Sequence, residues 1–259
     1  LGDEKWRGHL YGKGLFAISP EWQWGFGVET QTDDLYDRRY DLDGQGERRG
    51  LYSSQPRRLL SQVFAVGQGD SYYADASVLS FQGLREDDTD GALPTVAPVF
   101  FGEKYWDLGD YGFAAVNASS AMLTREVGAD SQRVSVGGDW SNLTVLPGGF
   151  TFKPFAEIRA DYYALDEAVS GEPDVSRAVG NAGVKIAYPL VRPGKVVDIM
   201  VEPTIMAAWG FSNANDSAIP NEDSDLYEFD ESSLFEANGF GNYDLYEGDG
   251  KASAGVTAR

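Results

Sequence analysis

Cysteine is absent from the 259 residues, which rules out disulfides and thiolate metal sites within them without fixing the compartment. His9 is the only histidine, so a Ser-His-Asp triad or a multi-histidine metal site would have to be built on one imidazole. No apolar run reaches the ~18 residues of a membrane-spanning helix. That absence leaves membrane strands open, because they need only about 9–11 tilted residues with every second one apolar. A mean hydropathy of −0.35 is compatible with such strands. Basic residues are scarce, 21 against 41 acidic, and the net charge of −20 repels nucleic acid phosphates. No nucleic acid partner is expected.

Glycine is plentiful, with 31 residues, and aromatics make up 13% of the chain. The dominant periodicity is two, the period of a strand with unlike faces. From Phe150 to Tyr162 one face carries Phe150, Phe152, Ala156, Ile158, Ala160 and Tyr162. The other carries Thr151, Lys153, Glu157, Arg159 and Asp161. Trp22, Trp24, Phe26 and Val28 likewise oppose Gln23, Gly25, Gly27, Glu29 and Gln31. Ala182, Val184, Ile186, Tyr188 and Leu190 oppose Arg177, Asn181 and Lys185, and the run from Val197 to Phe211 opposes Asp198, Glu202 and Thr204. Weaker runs lie at Trp6–Ala17, Leu59–Val66, Tyr72–Phe81, Val96–Tyr105, Phe113–Thr124, Arg133–Leu143 and Lys251–Arg259. The reading is all-β, with about eleven consecutive strands whose ends are fixed to within about two to four residues.

The links between these runs alternate in length. Tight ones fall at Ser19-Pro20-Glu21, Gly67-Gln68-Gly69-Asp70, Leu146-Pro147-Gly148-Gly149 and Arg192-Pro193-Gly194-Lys195, with Trp106–Tyr111 where another is due. Long polar links fall between them, the largest at about 33–58 and 213–250, both expected to face outward. Short turns on one side and long loops on the other predict an antiparallel transmembrane β-barrel of the outer-membrane kind. Aromatic residues near the strand ends, such as Trp22, Tyr105, Trp106, Tyr162 and Trp209, suit a membrane interface. A water-soluble β-sandwich also alternates apolar and polar positions, but it spreads loops of similar size over both ends. Pro154 and Pro203 fall inside strand runs, and each should mark a bulge or an unpaired stretch. In hydrocarbon a barrel leaves no open edge, and an odd strand count is unusual for a bacterial barrel. The segment is therefore expected to be an incomplete part of one larger barrel domain, with the export signal upstream of Leu1.

Candidate chemistry is sparse. His9 reads as a polar residue on the inner face of the first strand, and Gly12-Lys13-Gly14 is too short to cradle phosphate. Asp41 to Glu47 has the oxygen-rich composition of a calcium loop without the spacing to a terminal bidentate glutamate. The acidic cluster Glu222, Asp223, Asp225, Glu228, Asp230 and Glu231 could attract a divalent cation or supply paired carboxylates. Hydration of an exposed loop explains it more simply. No cofactor, metal site or catalytic residue is assigned.

The same region carries a family resemblance. Ile219-Pro220-Asn221-Glu222-Asp223-Ser224, then Tyr227-Glu228-Phe229-Asp230-Glu231-Ser232-Ser233-Leu234-Phe235, then Gly239-Phe240-Gly241-Asn242-Tyr243-Asp244, resembles the signature of the lipopolysaccharide-assembly family LptD. Arg57-Arg58-Leu59-Leu60-Ser61, Ser80-Phe81-Gln82-Gly83-Leu84-Arg85, Leu93-Pro94-Thr95-Val96-Ala97-Pro98, Tyr188-Pro189-Leu190-Val191 and Val201-Glu202-Pro203 are similar to the same family. The resemblance implies a 26-strand-type barrel in the bacterial outer membrane that inserts lipopolysaccharide into the outer leaflet and is not an enzyme. It also implies an LptE-type lipoprotein plug, contact with outer-membrane lipid, and an LptA-type periplasmic bridge reached through an N-terminal jellyroll that is absent from this sequence. On that basis Lys153, Glu157, Arg159, Asp161, Lys185 and Asp198 are expected to face the lumen and meet plug or lipopolysaccharide. Pro220, Asn221, Glu222, Asp223, Ser224, Glu228, Phe229 and Asp230 are expected to serve assembly or gating. A general porin or other ligand-transport barrel, and a soluble acidic carbohydrate-binding β-sandwich, are the alternatives.

Overall fold

A computed structural model describes residues 6–33, 36, 40, 47–53, 58–85, 90–166, 174–194, 197–213, 219–223 and 233–258. The strands are β1 (His9–Ala17), β2 (Trp22–Gln31), β3 (Arg58–Gly69), β4 (Tyr72–Gly83), β5 (Thr95–Asp107), β6 (Phe113–Thr124), β7 (Ser131–Ser141), β8 (Thr144–Val145), β9 (Thr151–Leu165), β10 (Asp174–Ala187), β11 (Leu190–Arg192), β12 (Ile199–Ser212) and β13 (Gly250–Ala258). They form one antiparallel sheet in the order β1-β2-β3-β4-β5-β6-β7-β9-β10-β12, with β13 on the far side of β12 and the short β8 and β11 beside β9 and β12. Each of the eleven expected strands is present. Among the described residues β1 and β13 are not paired with each other.

The two additional strands have a single cause. Thr144 pairs with Phe152, so the same register sets Asn142 opposite Pro154, and there β7 has already stopped at Ser141. The Asn142 N–H still donates to the Pro154 carbonyl at 3.2 Å, but proline has no N–H to return. Likewise Ala187 pairs with Thr204 and Leu190 with Val201, so the break at Tyr188-Pro189 lies opposite Pro203 and Glu202. Tyr188 donates to the Pro203 carbonyl at 3.0 Å without a reciprocal bond. Each proline thus separates a long strand from a short one, β8 lying past the expected end at Leu143 and β11 starting at the expected end, Leu190.

The tight links take the forms their residues dictate. Gly69 pairs with Tyr72, leaving only Asp70-Ser71 as a turn, shorter than the expected Gly67–Asp70 link. Gly148 and Gly149 adopt φ of 92° and 90°, a region closed to most side chains, and let the Leu146 N–H reach the Phe150 carbonyl at 2.7 Å. Asp198, expected on a strand, lies one residue before β12 and accepts the Gly194 N–H at 3.0 Å as a turn anchor.

The burial pattern is inverted relative to a soluble sheet. Ile158 is 60% exposed while its neighbours Arg159 and Asp161 are 7% and 3% exposed; Trp209 is 68% exposed while Thr204 is 4% exposed. Along β2, Gly25, Gly27, Glu29 and Gln31 turn inward and Trp22 and Trp24 outward. The most deeply buried side chains of these strands lie on the polar face.

Contacts divide the chain into two compact units. One comprises residues 1–104, 118–134 and 164–173, and the other 105–117, 135–163 and 174–259. In the first, Leu60, Leu79 and Val96 form a small apolar core joined by Tyr52, Phe81, Val99 and Leu123.

Candidate functional site

In the second unit the polar face of β9 and β10 is covered by residues from the long link before β13. The centre is Asp161 on β9, whose side chain is fully buried. Arg177 on β10 donates to its Oδ2 from Nε at 3.1 Å and from Nη2 at 2.9 Å. Arg159, on the same face of β9, places Nε 2.9 Å from Oδ1. Two guanidiniums around one carboxylate leave donors over, and these take backbone carbonyls of the link. Arg159 donates to Asn242 O at 3.2 Å and Tyr243 O at 2.7 Å; Arg177 donates to Asp244 O at 2.7 Å and also to Tyr243 O. Asn242 sits at φ 61°, a region asparagine tolerates better than most residues. The Tyr163 hydroxyl completes the group by donating to Asp244 Oδ1 at 3.1 Å.

Asp244 also ties the conspicuous acidic segment to this clamp. Its Oδ2 accepts the N–H groups of Glu222 and Asp223 at 2.8 and 3.0 Å. In return Asp223 Oδ1 accepts the N–H groups of Tyr243 and Asp244 at 3.3 and 3.1 Å. Two aspartates thereby lock two stretches of backbone together, each carboxylate accepting amide N–H groups of the other stretch. Pro220 is half-buried, whereas Asn221 and Glu222 are exposed. Ser224, Glu228, Phe229 and Asp230, like Asp41 to Gly46, lie outside the described residues.

Glycines seat the rest of the link. A Cβ on Gly210 would come within 2.7 Å of the Glu247 carbonyl oxygen, and one on Gly255 within 3.0 Å of Leu234 and 3.2 Å of Phe235. Asn181 on β10 bonds Tyr246 Oη at 2.9 Å and Glu157 Oε2 at 3.0 Å. Burial lifts the Tyr246 phenol above its ordinary 10.0, and Glu157 adds to the rise, while the Asn181 bond and Arg159 oppose it.

Between wall and link runs an open cleft of about 380 Å³, lined by Lys153, Phe155, Glu157, Arg159, Asn181 and Lys185 from the strands and by Phe235 to Asn238, Phe240 and Asn242 from the link. Four of the six wall residues singled out from sequence therefore share one cleft. Asp161 lies buried in the clamp instead, and Asp198 is in the turn before β12. The sequence reading missed Arg177 as a site residue although it placed it on the polar face. It also missed Tyr163, Asn242 and Asp244 as clamp residues; the run Gly239 to Asp244 within the signature was the available signal.

The first unit repeats the device. Arg49, from the long link between β2 and β3, pairs with Glu29 on β2 at 2.8 Å, both side chains under 10% exposed. It also stacks over the Tyr11 ring at 4.5 Å. Glu29 accepts the Leu60 N–H at 3.1 Å, and Gln62 brackets Tyr52 by accepting its N–H and donating to its carbonyl. A Cβ on Gly27 would meet the Arg49 carbonyl oxygen at 2.7 Å, so a bare backbone again makes the seat.

These are holding interactions. The described residues contain no grouping of three or more metal-ligating side chains, and His9 contacts the rings of Tyr11 and Tyr36. No curated protein matches the chain significantly. The family model described as LptD, LPS transport system D, matches residues 5–259, nearly the full length and with the same signature run that forms the clamp. An antiparallel sheet with charged residues turned inward, the described stretches of the link pinned across them and a match of that extent agree: the chain belongs to the LptD family, whose business is lipopolysaccharide transport.

Proposed function

We propose that this chain forms part of the wall of an outer-membrane translocon that delivers lipopolysaccharide to the outer leaflet. The carrying observation is the inverted burial: Arg159, Asp161, Arg177 and Asn181 are shielded while Ile158, Ile205, Trp209 and Phe211 lie open. A sheet placed in a bilayer needs its apolar rows toward lipid and its polar rows toward an aqueous interior. An amphiphile with an anionic sugar-phosphate head and several acyl chains requires both environments side by side.

On this reading the cleft residues Lys153, Glu157, Arg159 and Lys185 meet the passing head or an LptE-type lipoprotein plug. The segment at Pro220 to Asp223 serves assembly or gating by fixing the link to the wall, and an LptA-type bridge supplies substrate from the periplasm. Photo-crosslinkers at Lys153 and Lys185 of the full-length protein should trap lipopolysaccharide or plug, whereas crosslinkers at Ile158 and Trp209 should trap membrane lipid. Labelling of the lysine positions by membrane lipid alone would reject the assignment of faces.

A further inference from the structure

The link that crosses the polar face is held unequally at its two ends. Around Asn242 to Asp244 it is gripped by charge-assisted hydrogen bonds from Arg159 and Arg177, with Tyr163 and Asp223 adding others. Leu234 and Phe235 are held by apolar contact, both side chains resting over the bare backbone of Gly255. Lys185 places its Nζ 4.8 Å from the centre of the Phe235 ring. Lys153 opens onto the same cleft, and neither ammonium has a carboxylate partner among the described residues. The carboxylates lining the cleft are Glu157, engaged by Asn181, and Glu236, exposed on the link.

We propose that Lys153 and Lys185 form a phosphate site for a phosphorylated sugar head, and that filling it frees the Phe235 end of the link while the Asn242–Asp244 end stays clamped. The ligand class rests on the transport reading above; the coupling rests on the geometry of Lys185. A ring face offers an ammonium only its quadrupole, and that attraction weakens where water reaches it. A phosphate oxygen accepts a charge-assisted hydrogen bond from the same ammonium and draws it off the ring. Phe235 then loses its cation and keeps the apolar contact over Gly255. The substrate would thus open its own path at the loosely held end, without breaking the buried clamp.

Amide hydrogen exchange of the full-length protein in its membrane complex tests this, with inorganic pyrophosphate as the probe and sodium chloride of equal ionic strength as control. Pyrophosphate is expected to speed exchange across 233–237 by about tenfold, equivalent to roughly 1.4 kcal/mol of opening, and to leave 242–247 slow. The Lys153→Gln/Lys185→Gln variant, shown to be folded by slow exchange at 242–247, is expected to lose the response. No acceleration, an equal response in that variant, or equal acceleration of both stretches would overturn the proposal. Surface delivery of lipopolysaccharide is scored separately. Normal delivery by the double variant overturns the opening role of the phosphate site and leaves the transport reading standing. Normal delivery in cells lacking the whole protein removes the transport reading itself.

Discussion

At the scale of single residues, the clamp depends on the guanidinium more than on its charge. Arg177 distributes donors over Asp161, Tyr163, Tyr243 and Asp244 from one planar group, a fan that a lysine ammonium lacks. Arg177→Lys is therefore expected to lose most of what Arg177→Ala loses. Removing one member of a buried, hydrogen-bonded pair costs about 3–5 kcal/mol, and the loss should appear as a lower denaturant midpoint for the folded barrel. Tyr246 supplies a pH test. Its phenol titrates higher in the folded chain than the ordinary 10.0, so its contribution is intact below pH 10 and fades as pH rises through the folded value. Proteolytic susceptibility of the link should rise above pH 10 in the parent, and Tyr246→Phe should flatten that rise. The residue scale is also where sequence reading fell short. The alternation of Val197 and Ile199 runs straight through Asp198, so nothing in the pattern betrays its use as a turn anchor.

At the scale of elements, the prolines offer a controlled experiment. Pro154→Ala would give position 154 an N–H for the Asn142 carbonyl and join β7 to β8, a gain of about 0.5–1.5 kcal/mol. The freer unfolded chain opposes this by about 0.4–1 kcal/mol. Overall stability should therefore barely move while amide exchange at residues 142–154 slows. Glycine seats give the opposite experiment: Gly255→Leu should eject Leu234 and Phe235, and Gly27→Leu should displace the Arg49 backbone. Protease cleavage within the affected link, with the strands still protected, would be the expected signature. These elements differ in how far the sequence revealed them. The strands were legible because period two persists through eleven runs and turn residues separate them. The proline interruptions were legible as well, since a missing N–H is a property of the residue alone. The clamp was not, because it requires the register of β9 against β10 across the long link that begins after Leu165, and no side chain pattern states which inward residues become neighbours. Asp161 and Arg177 both read as polar-face residues; that they meet at 2.9 Å is a tertiary fact.

At the scale of the whole molecule, the size of a substitution's effect should depend on the face it occupies. Placing a charge on the open apolar face, as in Ile158→Arg or Trp209→Arg, is expected to cost about 2–4 kcal/mol near the middle of a bilayer and progressively less toward its surfaces. On the polar face a charge reversal at the exposed Lys153, as in Lys153→Glu, should be much milder for folded yield, since that side chain opens onto the cleft. Folded yield in the outer membrane and resistance of the envelope to large antibiotics would measure both. The exposed rows have a further consequence for the chain's history. Residues such as Ile158, Ile205, Trp209 and Val256 are large apolar side chains left open. During any passage through water they are sticky surface of the kind that drives aggregation. A newly made copy can therefore wait only briefly on its own, and its survival up to insertion calls for an escort that shields those rows without letting the strands close too soon.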